Sequence, residues 1–161
     1  MHAQFDTEDL PLDHKRCVEI CTKWLWNKCG VVLPEFVTYE PEIADVLGFK
    51  RDSSYMIEVK VSRSDFLRDK KKFFRAMENL GVGNYRYYAC PRGMIGPLEI
   101  PDGWGLIYIY PEGRARQMLA PDRKERNQRA EHNILYSYAR RAVCKNLHQE
   151  ILKPIPKREL A

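Results

Sequence analysis

The first regular pattern in the chain is a run of apolar residues with helical spacing. Residues at positions i, i+3, i+4, i+7 and i+8 share one face of a helix and form a stripe that can be buried. In this sequence the stripe consists of Cys17, Ile20, Cys21, Trp24 and Leu25. Asp13 is suited to cap the start of the helix, and Gly30 to end it.

After this helix the pattern changes to short runs rich in β-branched and aromatic residues. They predict strands over residues 31–40, 43–49 and 55–61. Pro34 interrupts the first run, which therefore predicts either an edge strand or a bulged one, because proline is tolerated in both. The polar segment 50–54 is typical of a tight turn. The three strands are therefore predicted to form an antiparallel meander.

A second amphipathic helix is predicted directly after the third strand. Ser62 and Asp65 fit a capping box, in which each side chain bonds a backbone N–H at the helix start. Gly81 is suited to end this helix. The residues predicted along its apolar side are Phe66, Phe73, Met77 and Leu80.

Two further strands and a last helix complete the pattern. The strands are predicted over 85–90 and 104–110, with a Pro/Gly-rich loop between them. Asp122 and Glu125 fit a second capping box, which predicts a helix through about Leu147.

The predicted order is α-β-β-β-α-β-β-α, without an internal repeat or an interdomain linker. We therefore expect one mixed α/β domain over residues 1–152, with a central mixed sheet flanked by helices and an added C-terminal helix. Residues 153–161 are predicted to form a basic, mobile tail.

Composition narrows the class of protein. The 161 residues suit one domain, and 44% apolar with 30% charged residues argues against wholesale disorder. The net charge of +5 favours an anionic partner such as nucleic acid. No run approaches the roughly 18 apolar residues of a membrane helix, and the acidic start is unlike a signal peptide. The five scattered cysteines favour buried thiols in a reducing compartment, so a cytoplasmic location is expected.

The predicted strand 55–61 carries two charges inside an apolar run. Glu58 and Lys60 are two positions apart and therefore share a face, and pairing across the 50–54 turn brings Asp45 beside Glu58. Two adjacent carboxylates repel unless a proton or a cation lies between them, and Mg²⁺ suits such oxygen donors. A lysine beside them can orient a water or stabilise charge on a phosphate. The alternative is a solvated pair of charges on a half-exposed strand.

Residues after this strand allow two interpretations as well. Ser62 and Asp65 are suited to helix capping, and they can also support a site because a helix N-terminus favours anions. Arg63, Lys70 and Lys71 are expected either to contact phosphates or to form a solvated helix face.

Together these segments resemble the PD-(D/E)XK nuclease superfamily, which has the restriction-endonuclease-like fold with an αβββαβ core. Asp45 followed by Glu58-Val59-Lys60 resembles its central motif. The ordered segments IADV, IEVKVSRSDFLRDKK, YYACP and WGLIYI are similar to the small MmcB-like group of DNA-repair nucleases, over about positions 40–110. Ala44 stands where the superfamily name has proline, a substitution that many members share.

The resemblance implies a role for each matching position. Asp45 and Glu58 would bind Mg²⁺, with Mn²⁺ as a substitute. The Val59 carbonyl would complete the protein ligands, and Lys60 would position the attacking water. Many members take a further glutamate from the first helix. The candidate here is Glu19, which lies opposite the buried stripe, and Glu42 is an alternative acid.

The implied activity is hydrolysis of phosphodiester bonds in DNA by a metal-dependent nuclease. The short chain favours recognition of a DNA structure, branched or single-stranded, over recognition of a sequence. The resemblance places this activity in DNA repair, recombination or phage DNA metabolism, and homodimers are common in the superfamily. The alternative function is a non-catalytic module on the same fold that binds nucleic acid or a protein, for example a phage-type inhibitor of a host enzyme.

Overall fold

The computed structural model of the chain describes residues 12–72 and 77–153. It contains two compact units, of which the first ends at Asn127 and the second begins at Gln128. The strands described in the first unit are β1 (Val31–Pro34), β2 (Val46–Phe49), β3 (Ser54–Val59), β4 (Tyr85–Pro91), β5 (Gly105–Ile109) and β6 (Ala115–Leu119). Its described α-helices are α1 (His14–Trp26) and α2 (Arg63–Asp69), with short 3₁₀ turns at Glu78–Leu80 and Pro97–Glu99.

The six strands form one mixed sheet in the order β1-β2-β3-β4-β5-β6. The first three are antiparallel neighbours, which confirms the predicted meander. β4 pairs parallel with both β3 and β5, and β6 closes the other edge antiparallel to β5. β1 lies at an edge, which is one of the two alternatives that Pro34 indicated, because an edge strand tolerates a residue that cannot donate a backbone hydrogen bond.

Helix α1 covers one face of the sheet. Its cap is formed as predicted, since the Arg16 N–H donates to Oδ1 of Asp13 over 2.7 Å. The buried stripe packs onto a core built by Cys17, Val18, Ile20, Cys21, Leu25, Cys29, Val32, Val46, Ile57, Val59, Tyr87, Ala89, Ile107 and Ile109. Burial raises the pKa of Cys17 to about 11, which agrees with the interpretation of these cysteines as buried thiols.

Helix α2 covers the opposite face. It lies in the connection between β3 and β4, and such a crossover is what allows two successive strands to run parallel. Phe66 of α2 meets the ring of Tyr88 edge-on at 5.0 Å, and Tyr88 stacks on Trp104 at 4.7 Å. The sheet is therefore flanked by helices on both faces, as the sequence predicted.

The predicted length of α2 is wrong. The cap at Ser62 is formed, since Ser62 Oγ accepts the Asp65 N–H over 3.2 Å, but the helix ends at Asp69 instead of continuing to about residue 80. The N–H groups of Lys71 and Lys72 bond the carbonyls three residues back, which tightens the chain into turns. Phe73, on the predicted apolar side, lies outside the described residues.

The predicted start of the last helix is also wrong. Helix α3 (Gln128–Cys144) begins after the proposed capping box, and α4 (His148–Ile151) follows it in the second unit. Residues 122–127 instead form a segment without regular secondary structure, which we call the strap, and its N–H groups donate to loop carbonyls of the first unit: Asp122 to Gly103, Lys124 to Asn84 and Asn127 to Gly81. These three backbone N–H groups therefore have hydrogen-bond partners without forming a helix.

Strand β6 was not predicted, because only its ends are partly buried and its middle residues are exposed. Of the predicted basic tail, residues 154–161 lie outside the described residues. Within residues 12–72 and 77–153, no helix combines the length and the apolar character needed to cross a bilayer.

Candidate functional site

Asp45 and Glu58 are neighbours at one end of the β2–β3 pair. Val46 lies opposite Ile57 in the antiparallel register, so the residues just beyond them, Asp45 and Glu58, face each other. Oδ2 of Asp45 accepts the Val59 N–H over 2.7 Å, which fixes the carboxylate against β3. The structure therefore brings the two predicted acids together.

Glu58 and Lys60 lie on one face of β3, as their spacing predicted. Nζ of Lys60 is 3.2 Å from Oε2 of Glu58, whereas Ile57 and Val59 point into the core beneath α1. The Glu58 side chain is only 4% exposed and that of Lys60 11%. The interpretation as a solvated pair on a half-exposed strand is therefore wrong.

A third charged residue, Asp69 at the end of α2, completes this buried cluster. Its Oδ1 lies 3.3 Å from Nζ of Lys60 and 2.7 Å from Nζ of Lys72, and the Tyr88 hydroxyl donates to its Oδ2 over 2.6 Å. Sequence reasoning missed Asp69. The available signal was its position three residues after Phe66, which places both on the helix face that turns to the sheet.

The electrostatics of Lys60 follow from these neighbours. Burial by itself would lower the pKa of the ammonium, but the carboxylates of Glu58 and Asp69 outweigh burial and raise the pKa. Lys60 is therefore a cation at neutral pH. Removing charged groups from water costs free energy, and apolar residues packed in the same place often stabilise a fold as well or better. A buried cluster of charges is therefore weak evidence of a stabilising role, and such clusters are typical of functional sites.

The cluster opens on a cleft of about 370 Å³. The cleft is lined by residues from the start of α1, the segment before β2, the end of β3, and α2 with the turn after it: His14, Ile43, Asp45, Glu58, Val59, Lys60, Asp65, Arg68, Asp69 and Lys72. The cleft lies beyond the C-terminal end of β3, one of three adjacent parallel strands, and ligands of open α/β sheets bind at such ends.

The predicted supporting residues divide between the cleft and the framework around it. Glu42 is 5% exposed, and its Oε2 accepts the Val82 N–H over 2.7 Å, so it anchors a loop. Ser62 caps α2. Asp65 lines the cleft and pairs with Arg68, and hydrogen bonds from Ser62 and Arg68 lower the pKa of its carboxyl group.

The basic residues that were candidates for phosphate contacts, at the start of α2 and just after its end, are not among the residues that line the cleft. Arg63 donates to the Met94 carbonyl over 2.8 Å and to the Glu99 carboxylate over 2.5 Å, and Lys70 donates to the Glu99 carbonyl over 3.1 Å. Lys71 is exposed. The cations that line the cleft on this side are Arg68 of α2 and Lys72 of the turn that follows it.

Helix α1 contributes His14 to the cleft in place of the glutamate expected from it. Nε2 of His14 is 3.2 Å from Oδ1 of Asp45, whereas Glu19 is exposed and lies 3.7 Å from the Arg16 guanidinium. Sequence reasoning assigned no role to His14. The available signal was its helical spacing, because it lies three residues before Cys17 and therefore on the face of the buried stripe.

Comparison with known proteins shows the fold but no activity. No protein-family model matches the chain, and no curated protein matches it. The chain is similar to a solved structure described as SPO1766, a protein of unknown function from Silicibacter pomeroyi, with a TM-score of 0.63 and 22% identity. The similarity covers 91% of this chain and 99% of that chain, so the two share the fold over nearly their whole lengths.

Proposed function

We propose that the chain is a metal-dependent nuclease that hydrolyses phosphodiester bonds in DNA. One observation carries the proposal: Asp45, Glu58 and Lys60 meet in a single cleft, with Lys60 held in a buried charged cluster. An ordinary solvated surface does not need buried charges, whereas a site that binds a phosphate and a cation does.

The donor atoms of the cleft fit a hard divalent cation. Asp45 and Glu58 offer carboxylate oxygens from facing positions, and the Val59 N–H holds the Asp45 carboxylate in place before any ion binds. These two acids, with the carbonyl of Val59, would hold Mg²⁺, or Mn²⁺ in its place. The ion would supply charge stabilisation at the phosphate and a lower pKa for the attacking water.

Lys60 supplies the remaining function from the chain itself. As an ammonium it has only donors, so it cannot take a proton from water; it orients the water or the phosphate by hydrogen bonding. Asp69 and Glu58 hold Nζ from two sides, which limits the positions that a bound water or phosphate oxygen can occupy.

The choice of DNA as substrate rests on charge. The chain carries a net charge of +5, and Arg68 and Lys72 add two cations at the cleft, where a phosphate backbone would enter. We place this activity in the cytoplasm, in repair, recombination or phage DNA metabolism, and expect selection for branched or single-stranded structure. A homodimer is compatible with the proposal.

The test is cleavage of a panel of labelled DNAs: single strand, duplex, flap and four-way junction. Each is incubated with Mg²⁺ or Mn²⁺ and with wild type, Lys60→Ala or Lys60→Met, of which the second keeps most of the side-chain volume. Lys23→Met, an exposed lysine of α1, is the matched control. We expect cleavage that requires the ion, persists in the control and is lost in both Lys60 variants.

The same experiment separates the nuclease from the alternative function. DNA binding without ions is measured in parallel on all four proteins. Binding that is equal in wild type and the Lys60 variants, with no cleavage of any DNA, contradicts the nuclease and leaves a non-catalytic DNA-binding module. Absence of both binding and cleavage points to a protein-binding function.

A further inference from the structure

Three side chains from separate segments converge beside the cleft, and two of them, His14 and Asp45, line it. They are His14, the first residue of α1; Glu35, which follows β1; and Asp45, which precedes β2. One possible ligand atom from each lies within 4.8 Å of the other two. Nε2 of His14 is 3.2 Å from Oδ1 of Asp45, and Nδ1 is 3.8 Å from Oε1 of Glu35. We call this group the His14 cluster.

The backbone holds the His14 cluster together. The Glu35 N–H donates to the Asp45 carbonyl over 2.8 Å, which continues the β1–β2 pairing by one residue. Glu35 has a φ of 45°, a left-handed backbone conformation that residues other than glycine seldom adopt. Oδ2 of Asp45 is occupied by the Val59 N–H, so Oδ1 is the oxygen that faces His14.

The spacing suits two ligands of one ion. Donors that each lie about 2.0–2.2 Å from a metal are about 3 Å apart when they occupy adjacent coordination positions. The 3.2 Å between Nε2 of His14 and Oδ1 of Asp45 matches this value. Glu35 is 57% exposed, so its carboxylate has room to turn from Nδ1 toward the same ion.

We propose that His14, Glu35 and Asp45 form a binding site for a first-row transition-metal ion of the Mn²⁺ class. The imidazole decides the class, because Mg²⁺ takes oxygen donors whereas Mn²⁺ and its heavier neighbours also accept histidine nitrogen. Glu35, Asp45 and the nearby Glu58 repel one another, and of these three acids Lys60 contacts Glu58. A bound ion would offset the repulsion that remains.

This site does not depend on the nuclease proposed above, although both use Asp45. Metal binding through His14 can be measured on the full chain without any substrate. If the chain is also a nuclease, sharing Asp45 links the two sites, and the His14 cluster would then favour Mn²⁺ over Mg²⁺.

The test is calorimetric titration of the full-length chain with MnCl₂ and, separately, MgCl₂. Mn²⁺ is preferred to Zn²⁺ because the exposed thiol of Cys144 would compete for the softer ion. The variants are His14→Gln and Glu35→Gln, and His132→Gln is the matched control because His132 is exposed on α3. We expect His14→Gln to weaken Mn²⁺ binding by at least about tenfold, with Mg²⁺ binding and the control unchanged.

A second measurement avoids any doubt about folding of the variants. The histidine ring signals of the wild-type chain are followed by NMR while sub-stoichiometric Mn²⁺ is added, and His14→Gln identifies the His14 signal. The proposal expects selective broadening of His14. Equal Mn²⁺ affinity in wild type and His14→Gln, or a His14 signal that Mn²⁺ leaves sharp, overturns it and leaves His14 as an ion-pair partner of Asp45.

The two proposals fail in different ways. A chain that binds Mn²⁺ through His14 but cuts no DNA keeps this site and loses the nuclease. A chain that cuts DNA with Mg²⁺, while His14→Gln leaves Mn²⁺ affinity intact, keeps the nuclease and loses this site.

Discussion

The Nζ atom of Lys60, just after β3, lies 3.3 Å from Oδ1 of Asp69, at the end of α2. Asp69 is 1% exposed and also accepts the Tyr88 hydroxyl, so its position is set by the packing of α2 on the sheet. The helix that covers one face of the sheet thereby holds the lysine beside Glu58. Asp69 therefore influences the cleft by fixing the position of the Lys60 ammonium group.

We therefore expect Asp69→Asn to reduce the proposed cleavage activity by up to about 100-fold, because misplacing a reacting group by about 1 Å can have an effect of this size. The amide keeps the size of the side chain and can still accept from Tyr88, but it lacks the charge that holds Lys60. The loss should fall on kcat more than on KM, since Asp69 is only 1% exposed and acts by holding Lys60. Cleavage kinetics on the best DNA of the panel measure it.

The matched control is Glu112→Gln, which neutralises an exposed acid in the turn before β6. It should leave the kinetics unchanged. An Asp69→Asn protein with wild-type kcat, or with a rate loss that merely follows a loss of folded protein in urea unfolding, would contradict the positioning role.

Part of the site could be predicted because it depends on local periodicity. A spacing of two places Glu58 and Lys60 on one face of a strand, and a short turn sets the register that brings Asp45 opposite Glu58. Asp69 and His14 join the cleft through the packing of α2 and α1 on the sheet. That packing depends on contacts distant in sequence, which a local pattern does not contain.

The errors in the fold have the same origin. The capping box at Asp122 and Glu125 is a local signal, but tertiary hydrogen bonds to Gly103, Asn84 and Gly81 draw this segment into the strap. Local preference is a weak prior that tertiary contacts override. Strand pairing in the meander was predictable because strands that are consecutive in sequence usually lie side by side in a sheet.

The stability contributed by Glu99 should depend on pH. A hydrogen bond from Arg63, together with the Gly96 N–H, lowers the pKa of its carboxyl group to about 2, from an ordinary value of 4.5. A depressed pKa means that the ionised form stabilises the fold; this contribution is complete above pH 4.5 and is lost as the pH falls toward 2. Glu99→Gln should thus lower the urea midpoint at pH 7, and the difference from wild type should shrink between pH 4.5 and 2.

Urea unfolding of both proteins at pH 7, 4 and 2.5 checks this prediction. Arg63→Gln removes the partner and should reproduce the effect at pH 7. A midpoint difference that is the same at all three values of pH would show that the Glu99 charge is not involved.

Gly83 and Gly93 both have positive φ values, 85° and 78°, but their surroundings differ. A Cβ on Gly83 would lie 2.8 Å from Cβ of Met56, whereas nothing lies within 4 Å of a Cβ on Gly93. Gly93→Ala should therefore lose only about 1–2 kcal/mol from left-handed strain. Gly83→Ala should lose about 1–3 kcal/mol more from overpacking, measured by urea unfolding. Equal losses would show that Met56 can move aside.

The buried guanidinium of Arg86 connects the loop before β4 with the strap. The side chain is 1% exposed and donates to the carbonyls of Gly83, Gly81 and Glu125 over 2.9, 3.1 and 2.8 Å. Arg86→Met keeps the length of the side chain but leaves these acceptors without the guanidinium donors. Asn127 still donates to the Gly81 carbonyl, so the loss falls on the bonds to Gly83 and Glu125. Since each such buried group costs about 1–3 kcal/mol, the free energy of unfolding should fall by about 2 kcal/mol or more. Arg116→Met, on the exposed part of β6, is the control.

Limited trypsin digestion locates the effect within the fold. The strap carries Arg123, Lys124 and Arg126, which trypsin can cleave once the strap leaves the loops to which it is hydrogen-bonded. Local opening requires less free energy than global unfolding, so Arg86→Met should accelerate cleavage in the strap before the rest of the chain is cut. If the strap were cut no faster than in the Arg116→Met control while the urea midpoint fell, Arg86 would stabilise the core of the sheet and the bond to Glu125 would contribute little.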